Sequence, residues 1–166
     1  TIDSGPCAFM DDFHPDTVYS SIDHGGRYAY RNQPRIAHWN LAFLAQALLP
    51  LLHEVQEQAV TLAQESIDAF PDLFRDAHQQ GIARKLGFRP EGEEDESLRQ
   101  DLLSVMAETG VDFTLSFRHL ADLANADAGD EGVSAIFEFP QVFNSWLERW
   151  RKRLEQDPTR SEERRV

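Results

Sequence analysis

Hydrophobic residues recur at helical spacing along most of the chain, so the pattern predicts a mostly α protein. Pro34 suits the first turn of a helix, and Phe70-Pro71 is expected to separate two helices. The predicted helices cover residues 36–52, 53–69, 72–88, 97–109, 112–124 and 140–156.

The first of these helices, IAHWNLAFLAQALLPLL, is apolar on almost every side. Such a helix is normally buried, so it is expected to form the centre of the helical body. Trp39 is predicted to be a core residue, and His38 a hydrogen-bonded or half-exposed histidine. Pro50 is expected to end or kink the helix.

The last helix shows the clearest amphipathic pattern in the chain. Its apolar stripe consists of Val142 or Phe143, followed by Trp146, Leu147, Trp150 and Leu154. The two tryptophans are therefore interpreted as packing residues rather than as a ligand cage.

Three segments lack this periodicity. Residues 1–35 are rich in Asp, Gly, Pro and aromatics and form an irregular N-terminal arm, and such long irregular segments are usually functional or ordered by the rest of a domain. ANADAGDEG is predicted to be a polar linker. The run EGEEDES is predicted to be a solvated loop that leads into a helix, so the acids from Glu91 to Glu96 are not expected to bind a metal.

Composition excludes several classes of partner. The chain has 16 Lys and Arg against 29 Asp and Glu, a net charge of −13, which argues against nucleic acid and anionic membranes. The longest apolar run is broken by Gln46 and Pro50 and is too short to span a bilayer, and no signal peptide is visible. Cys7 is the single cysteine, so no intrachain disulfide can form, which fits a reducing compartment.

Two acidic segments are candidates for metal chemistry. Asp3 precedes the turn Ser4-Gly5-Pro6, where its carboxylate either accepts hydrogen bonds from its own turn or holds a metal ion over nucleotide phosphates. The residue pattern alone favours the turn. Asp11, Asp12, His14 and Asp16 resemble metal ligands by composition, but their spacing matches no known cage, so an exposed acidic loop is favoured.

Several motifs in order carry a family resemblance. TIDSGPCAFMDDFHPDT, DHGGRYAYRNQPRIAHWNLAFLAQALLPLL, LLSVMAETGVDFTLSFRHLADL and SWLERWRKRL together resemble the selenoprotein O (SelO) family of protein adenylyltransferases, which have a protein-kinase-like fold. The resemblance implies one incomplete domain, truncated at both ends. Residues 1–35 would hold the metal-binding turn and the activation-segment region, and residues 36–166 the helical C-lobe body.

The resemblance also implies a chemistry. Asp3 would bind Mg²⁺ or Mn²⁺ against the phosphates of ATP, and the complete protein would transfer AMP to Ser, Thr or Tyr hydroxyls of protein substrates. The catalytic base and a second metal ligand would lie upstream of Thr1, so this fragment alone is expected to be inactive. The location would be cytoplasmic in a bacterium and mitochondrial in a eukaryote. The alternative is a non-catalytic helical interaction module, a pseudoenzyme; ordinary kinase activity is disfavoured.

The remaining candidates stay open at this point. Arg27, in the DHGGRY motif with Asp23 and His24, would contact substrate or phosphate, or would tie the loop to a carboxylate such as Asp23. Cys7 is interpreted as a small packing residue rather than a reactive thiol. The chain departs from the family pattern at four positions, which are Ser4, Cys7, Tyr19 and Ile22.

Overall fold

The computed structural model describes residues 10–89, 92–124 and 138–156. Within these ranges the chain is mainly helical and contains no strand, apart from an isolated bridge between Asp12 and Asp112. The α-helices are α1 (Gln33–Leu52), α2 (Gln56–Lys85), α3 (Glu93–Thr109), α4 (Phe113–Ala124) and α5 (Asn144–Gln156). The prediction of a mostly α protein is therefore confirmed.

The described residues belong to two compact units. The first contains residues 15–77, with α1 and most of α2. The second contains residues 10–14 and 78–156, with the end of α2 and helices α3 to α5.

Helix α1 begins as the sequence predicts, with Pro34 in its first turn. A short 3-10 turn, Tyr30–Asn32, precedes it. Pro50 lies inside the last turn, and the helix ends two residues later at Leu52. Because proline has no N–H, one intrahelical hydrogen bond is missing close to the C-terminal end of α1. The last four carbonyls of any helix lack an intrahelical donor, so the proline is tolerated there.

The prediction that α1 is buried is wrong for this structure. Among its twenty residues Ile36 alone is buried, and Trp39, predicted to be a core residue, is 49% exposed. A helix that is apolar all round is buried only if other elements pack against every side of it. The contacts of His38 with α2 lie on one side of α1. His38 itself is half-buried and hydrogen-bonded, as predicted.

The two helices predicted around Phe70-Pro71 are one continuous helix, so that prediction is also wrong. Pro71 has no N–H and cannot donate to the carbonyl of Ile67, four residues earlier. His38 Nε2 lies 3.1 Å from that carbonyl oxygen and supplies the missing donor when the ring proton is on Nε2. The His38 ring also stacks on Phe70, with centroids 5.5 Å apart. A side chain of α1 thus offsets part of the cost of a proline inside α2.

Helix α5 buries the predicted stripe in the second unit. The first buried residue of the stripe is Phe143, not Val142, and it lies in a 3-10 turn (Gln141–Phe143) just before α5. Trp146 and Trp150 are 2% and 1% exposed. Their indole N–H groups donate to the carbonyls of Leu98 (2.7 Å) and Leu86 (2.9 Å). Both tryptophans are therefore packing residues, as predicted, and their polar atoms are satisfied.

Helix α3 begins at Glu93, earlier than predicted, so four acids of the run lie in its first turn. Asp95 is 3% exposed, which corrects the prediction that the whole run is solvated. The Arg153 guanidinium donates to both of its carboxylate oxygens, at 2.7 and 3.2 Å, and also to the carbonyl of Arg89. The same guanidinium lies 4.8 Å from the ring centroid of Phe88. A charge needs such partners to be buried.

Candidate functional site

Asp3, the predicted metal ligand, lies outside the described residues, as does Cys7. The part of the predicted site that the structure describes is the loop with the DHGGRY motif and its connection to α1. We call residues 15–32 the site loop.

Asp23 holds the turn of the site loop. Its two carboxylate oxygens accept hydrogen bonds from the backbone N–H groups of Arg27 (2.9 Å) and Tyr28 (2.7 Å). Gly26, which directly precedes Arg27 in the turn, has φ +63°, a conformation that glycine adopts without strain. An Asp followed by two glycines is a turn signal in the sequence, but the identity of the two donors is visible only in the structure.

The site loop is also anchored to the start of α1 and to its own first residues. Asn32 Nδ2 donates to the carbonyl of Gly26 (2.8 Å), and Gln33 Nε2 donates to the carbonyl of Tyr28. The backbone N–H groups of Tyr30 and Arg31 donate to the carbonyls of Thr17 and Pro15. Apart from the 3-10 turn Tyr30–Asn32, this segment therefore has a defined conformation without forming a helix or a strand.

Arg27 points its side chain away from Asp23. Its guanidinium carbon lies 4.8 Å from the ring centroid of Trp39 and 5.8 Å from that of Tyr28. Among the described residues no carboxylate lies within ion-pair distance of it. The interpretation that the Arg27 guanidinium ties the loop to Asp23 is thus wrong, because Asp23 holds the backbone instead. Arg27 remains exposed, and a contact with substrate or phosphate stays a prediction.

The four candidate metal ligands predicted between residues 11 and 16 lie on the surface. Asp11, Asp12, His14 and Asp16 are all exposed, and Asp16 pairs with Arg31 at 2.7 Å. Within residues 10–89, 92–124 and 138–156, no group of three or more His, Cys, Asp or Glu side chains could hold a metal ion.

Two tyrosines of the site loop stay protonated at neutral pH. Burial raises the pKa of Tyr30 above its ordinary value of 10.0. Burial, together with the charge that Tyr30 would carry, also raises the pKa of Tyr19. Neither phenol can therefore act as a proton acceptor near pH 7.

Comparison with known proteins identifies the family of the chain. The family model described as "Protein adenylyltransferase SelO" matches residues 1–166. This chain belongs to the SelO family.

Bacterial relatives of this SelO-family chain are named "Protein nucleotidyltransferase YdiU". The one from Bradyrhizobium diazoefficiens is 52% identical over 166 residues, all of this chain and 34% of the relative. The one from Bradyrhizobium sp. BTAi1 is 50% identical over 164 residues, and the one from Rhizobium meliloti 47% over 164. The last two matches each cover 99% of this chain, and the chain spans about a third of the length of all three relatives.

Within the described parts of this chain, no helix has the length and apolarity needed to cross a membrane.

Proposed function

We propose that the complete protein carrying this chain is a protein adenylyltransferase, which transfers AMP from ATP to Ser, Thr or Tyr hydroxyls of protein substrates. The observation that carries the proposal is the match of the SelO family model to all 166 residues. The names of the relatives, which describe nucleotidyl transfer to protein, support the same class of reaction. In this reaction the hydroxyl oxygen forms a bond to the α-phosphorus, and the bond to the departing pyrophosphate breaks.

Asp3 is the proposed metal ligand of this chain. A carboxylate oxygen is the donor that Mg²⁺ or Mn²⁺ prefers, and a bound divalent cation would neutralise charge on the phosphates. One carboxylate is not a complete site. The catalytic base, which takes the hydroxyl proton, and a second ligand are proposed to lie upstream of Thr1, so residues 1–166 alone are expected to be inactive.

The site loop is proposed to belong to the activation-segment region of a protein-kinase-like domain, with residues 1–35 as its metal-binding and loop part and residues 36–166 as its helical C-lobe. The Asp23 carboxylate accepts from the backbone N–H groups of Arg27 and Tyr28 and so fixes the backbone there, while the Arg27 guanidinium stays exposed over Trp39. An exposed, planar guanidinium can bind a phosphate or a substrate carboxylate.

We also propose that the protein is cytoplasmic, because the relatives are bacterial.

The proposal is tested with the complete protein, Mg²⁺ or Mn²⁺, and ATP labelled on either the α- or the γ-phosphate. We expect label on protein from the α position alone, and loss of that label in Asp3→Ala. Asp12→Ala, which removes an exposed carboxylate nine positions later in the sequence, is the matched control and should keep the activity. Label from the γ position would identify a kinase and contradict the proposal.

A second candidate is a non-catalytic protein-interaction module. The wide exposed apolar face of α1 favours it, because such faces often mark protein contacts. Absence of transfer from either label, by a folded complete protein, would support this candidate and overturn the first one.

A further inference from the structure

A cavity of about 340 Å³ lies between the last turn of α2 and one side of α4. This volume is at the low end of the range for small-molecule sites in proteins. The residues that line it all belong to the second unit. They are Lys85, Phe113, Thr114, Phe117, Arg118 and Ala121.

The spacing of residues in α4 explains why this cavity has an aromatic surface. Phe113, Phe117 and Ala121 follow one another at intervals of four residues, so they form one row along the helix. The two rings meet edge to face, with centroids 5.1 Å apart. A methyl group at the third position of the row fills much less space than a third ring would, and therefore leaves room for a ligand.

Lys85 brings a positive charge to this aromatic surface. Its ammonium nitrogen lies 5.2 Å from the ring centroid of Phe113 and 5.0 Å from that of Phe117. Among the described residues no carboxylate pairs with this ammonium and no acceptor takes a hydrogen bond from it. Contacts between a cation and a ring are weak where the cation is exposed to water, so the donors of Lys85 are available to an anion.

Arg118 is the second cation of the cavity. Its side chain is 61% exposed, and its Nε lies 3.8 Å from Oδ1 of Asp122, which is too long for a hydrogen bond. None of the described residues that line the cavity is acidic, although the whole chain carries a net charge of −13. Two cations without an acid, in so acidic a chain, make the cavity complementary to a negatively charged ligand.

We propose that this cavity binds a small aromatic carboxylate. The apolar rings of the ligand would pack on Phe113 and Phe117, because aromatic surfaces gain from an apolar cover in offset or edge-to-face contact. The carboxylate would accept hydrogen bonds from Lys85 and Arg118, and the planar guanidinium suits the planar carboxylate. An inorganic anion would leave the rings uncovered, and a neutral ligand would leave both cations without a partner. This binding site does not depend on the proposed nucleotidyl transfer.

Titration of the complete protein with naphthoate, followed by calorimetry or ligand-observed NMR, tests the proposal. The matched neutral ligand is naphthamide, which keeps the two rings but carries no charge. We expect naphthoate to bind about tenfold more tightly than naphthamide, because hydrogen bonds to a charged group are stronger than those between neutral groups. If neither ligand binds, or if both bind equally well, the proposal is overturned.

Two substitutions at exposed positions locate the bound ligand. Lys85→Met removes one cation and Ala121→Leu fills the cavity, so each should weaken the binding of naphthoate by about tenfold. Lys152→Met is the matched control, because it removes the one other lysine of residues 1–166 from an exposed position in α5. Binding that is unchanged in both Lys85→Met and Ala121→Leu would mean that naphthoate binds elsewhere, and would contradict the proposal.

Labelling of the unsubstituted protein decides the matter if a variant does not fold. Acetylation with a limiting amount of an activated ester, followed by mass spectrometry, compares Lys85 with Lys152 in the same sample. A bound carboxylate keeps the amine protonated and covers it, so naphthoate should slow the acetylation of Lys85 several-fold and leave that of Lys152 unchanged. Acetylation of Lys85 at the same rate with and without naphthoate would also overturn the proposal.

Discussion

Helices α1 and α5 show opposite relations between composition and burial. Helix α5, NSWLERWRKRLEQ, is rich in charged residues, yet it buries Trp146, Leu147, Trp150 and Leu154. Helix α1 has far more apolar residues, yet buries Ile36 alone. The difference lies in the neighbours, because the carbonyls of Leu98 in α3 and of Leu86, just after α2, accept hydrogen bonds from the tryptophans of α5.

An apolar helix needs neighbouring elements to pack against, but its composition does not say where they lie. A narrow apolar stripe also predicts the side of the helix on which the neighbour packs. In α5 the polar residues define that side, so the buried residues could be predicted individually. In α1 the apolar residues surround the helix, so the sequence does not distinguish the side that contacts α2 from the exposed sides. Substitutions in the buried stripe of α5 are therefore expected to cost the most stability.

Trp150→Ala should strongly destabilise the complete protein. The substitution empties a fully buried site and removes the donor to the Leu86 carbonyl, so we expect a loss of about 3–5 kcal/mol in the free energy of unfolding. Urea denaturation measures it. Val142→Ala, at an exposed neighbouring position, should change the free energy by less than about 0.5 kcal/mol. Equal effects of the two substitutions would refute the assignment of α5 to the core.

Arg153→Met should cost about 3–5 kcal/mol of stability, because it leaves the Asp95 carboxylate buried without its partner. The matched control is Arg149→Met, which removes a pair with Asp101 at 2.6 Å that is half-exposed and contributes at most about 1 kcal/mol. Replacing both Asp95 and Arg153 with Leu and Met should recover much of the loss. If Arg153→Met is no worse than Arg149→Met, the buried pair does not hold α3 against α5.

His38→Phe should cost about 1–3 kcal/mol, because the ring can still stack on Phe70 but the Ile67 carbonyl loses its donor. In a Pro71→Ala background the new backbone N–H can donate to that carbonyl, so His38→Phe should then cost much less. A double-mutant cycle with thermal or urea unfolding measures this coupling. Purely additive effects would show that His38 does not compensate for the proline.

The smallest expected effect concerns pH and the buried His119 of α4. Burial lowers the pKa of His119 below 6.5, and the charges of Asp122 and Glu138 oppose this shift only in part. The unfolded chain therefore binds a proton at His119 more readily than the folded chain does. The free energy of unfolding should fall as the pH drops below about 6.5, and it should stop falling once the pH is below the pKa of His119 in the folded protein.

Unfolding followed between pH 7.5 and 5, with His119→Phe as the comparison, measures the contribution of this histidine. The unsubstituted protein should lose more stability over this range than the variant. Identical pH dependence of both proteins would exclude His119 as a contributor.

Much of the fold could be predicted because its signals are local. The helical periodicity, Pro34 in the first turn of α1 and the stripe of α5 each depend on residues close in sequence. The continuity of α2 could not be predicted, because the donor for the Ile67 carbonyl comes from His38, 29 residues away. Burial of Asp95 likewise depends on Arg153, 58 residues away. In the site loop the turn at Asp23 was recognisable, but the orientation of Arg27 toward Trp39 was not.

Local sequence patterns are enough to predict the helical class, the position of most helices and the family, since several motifs appear in the order of that family. The folded chain is needed to see which acid is buried, whether Pro71 ends a helix and which side of α1 has a neighbour. The physical reason is that periodicity and turn chemistry act over a few residues, whereas burial and hydrogen-bond satisfaction depend on groups that are distant in sequence.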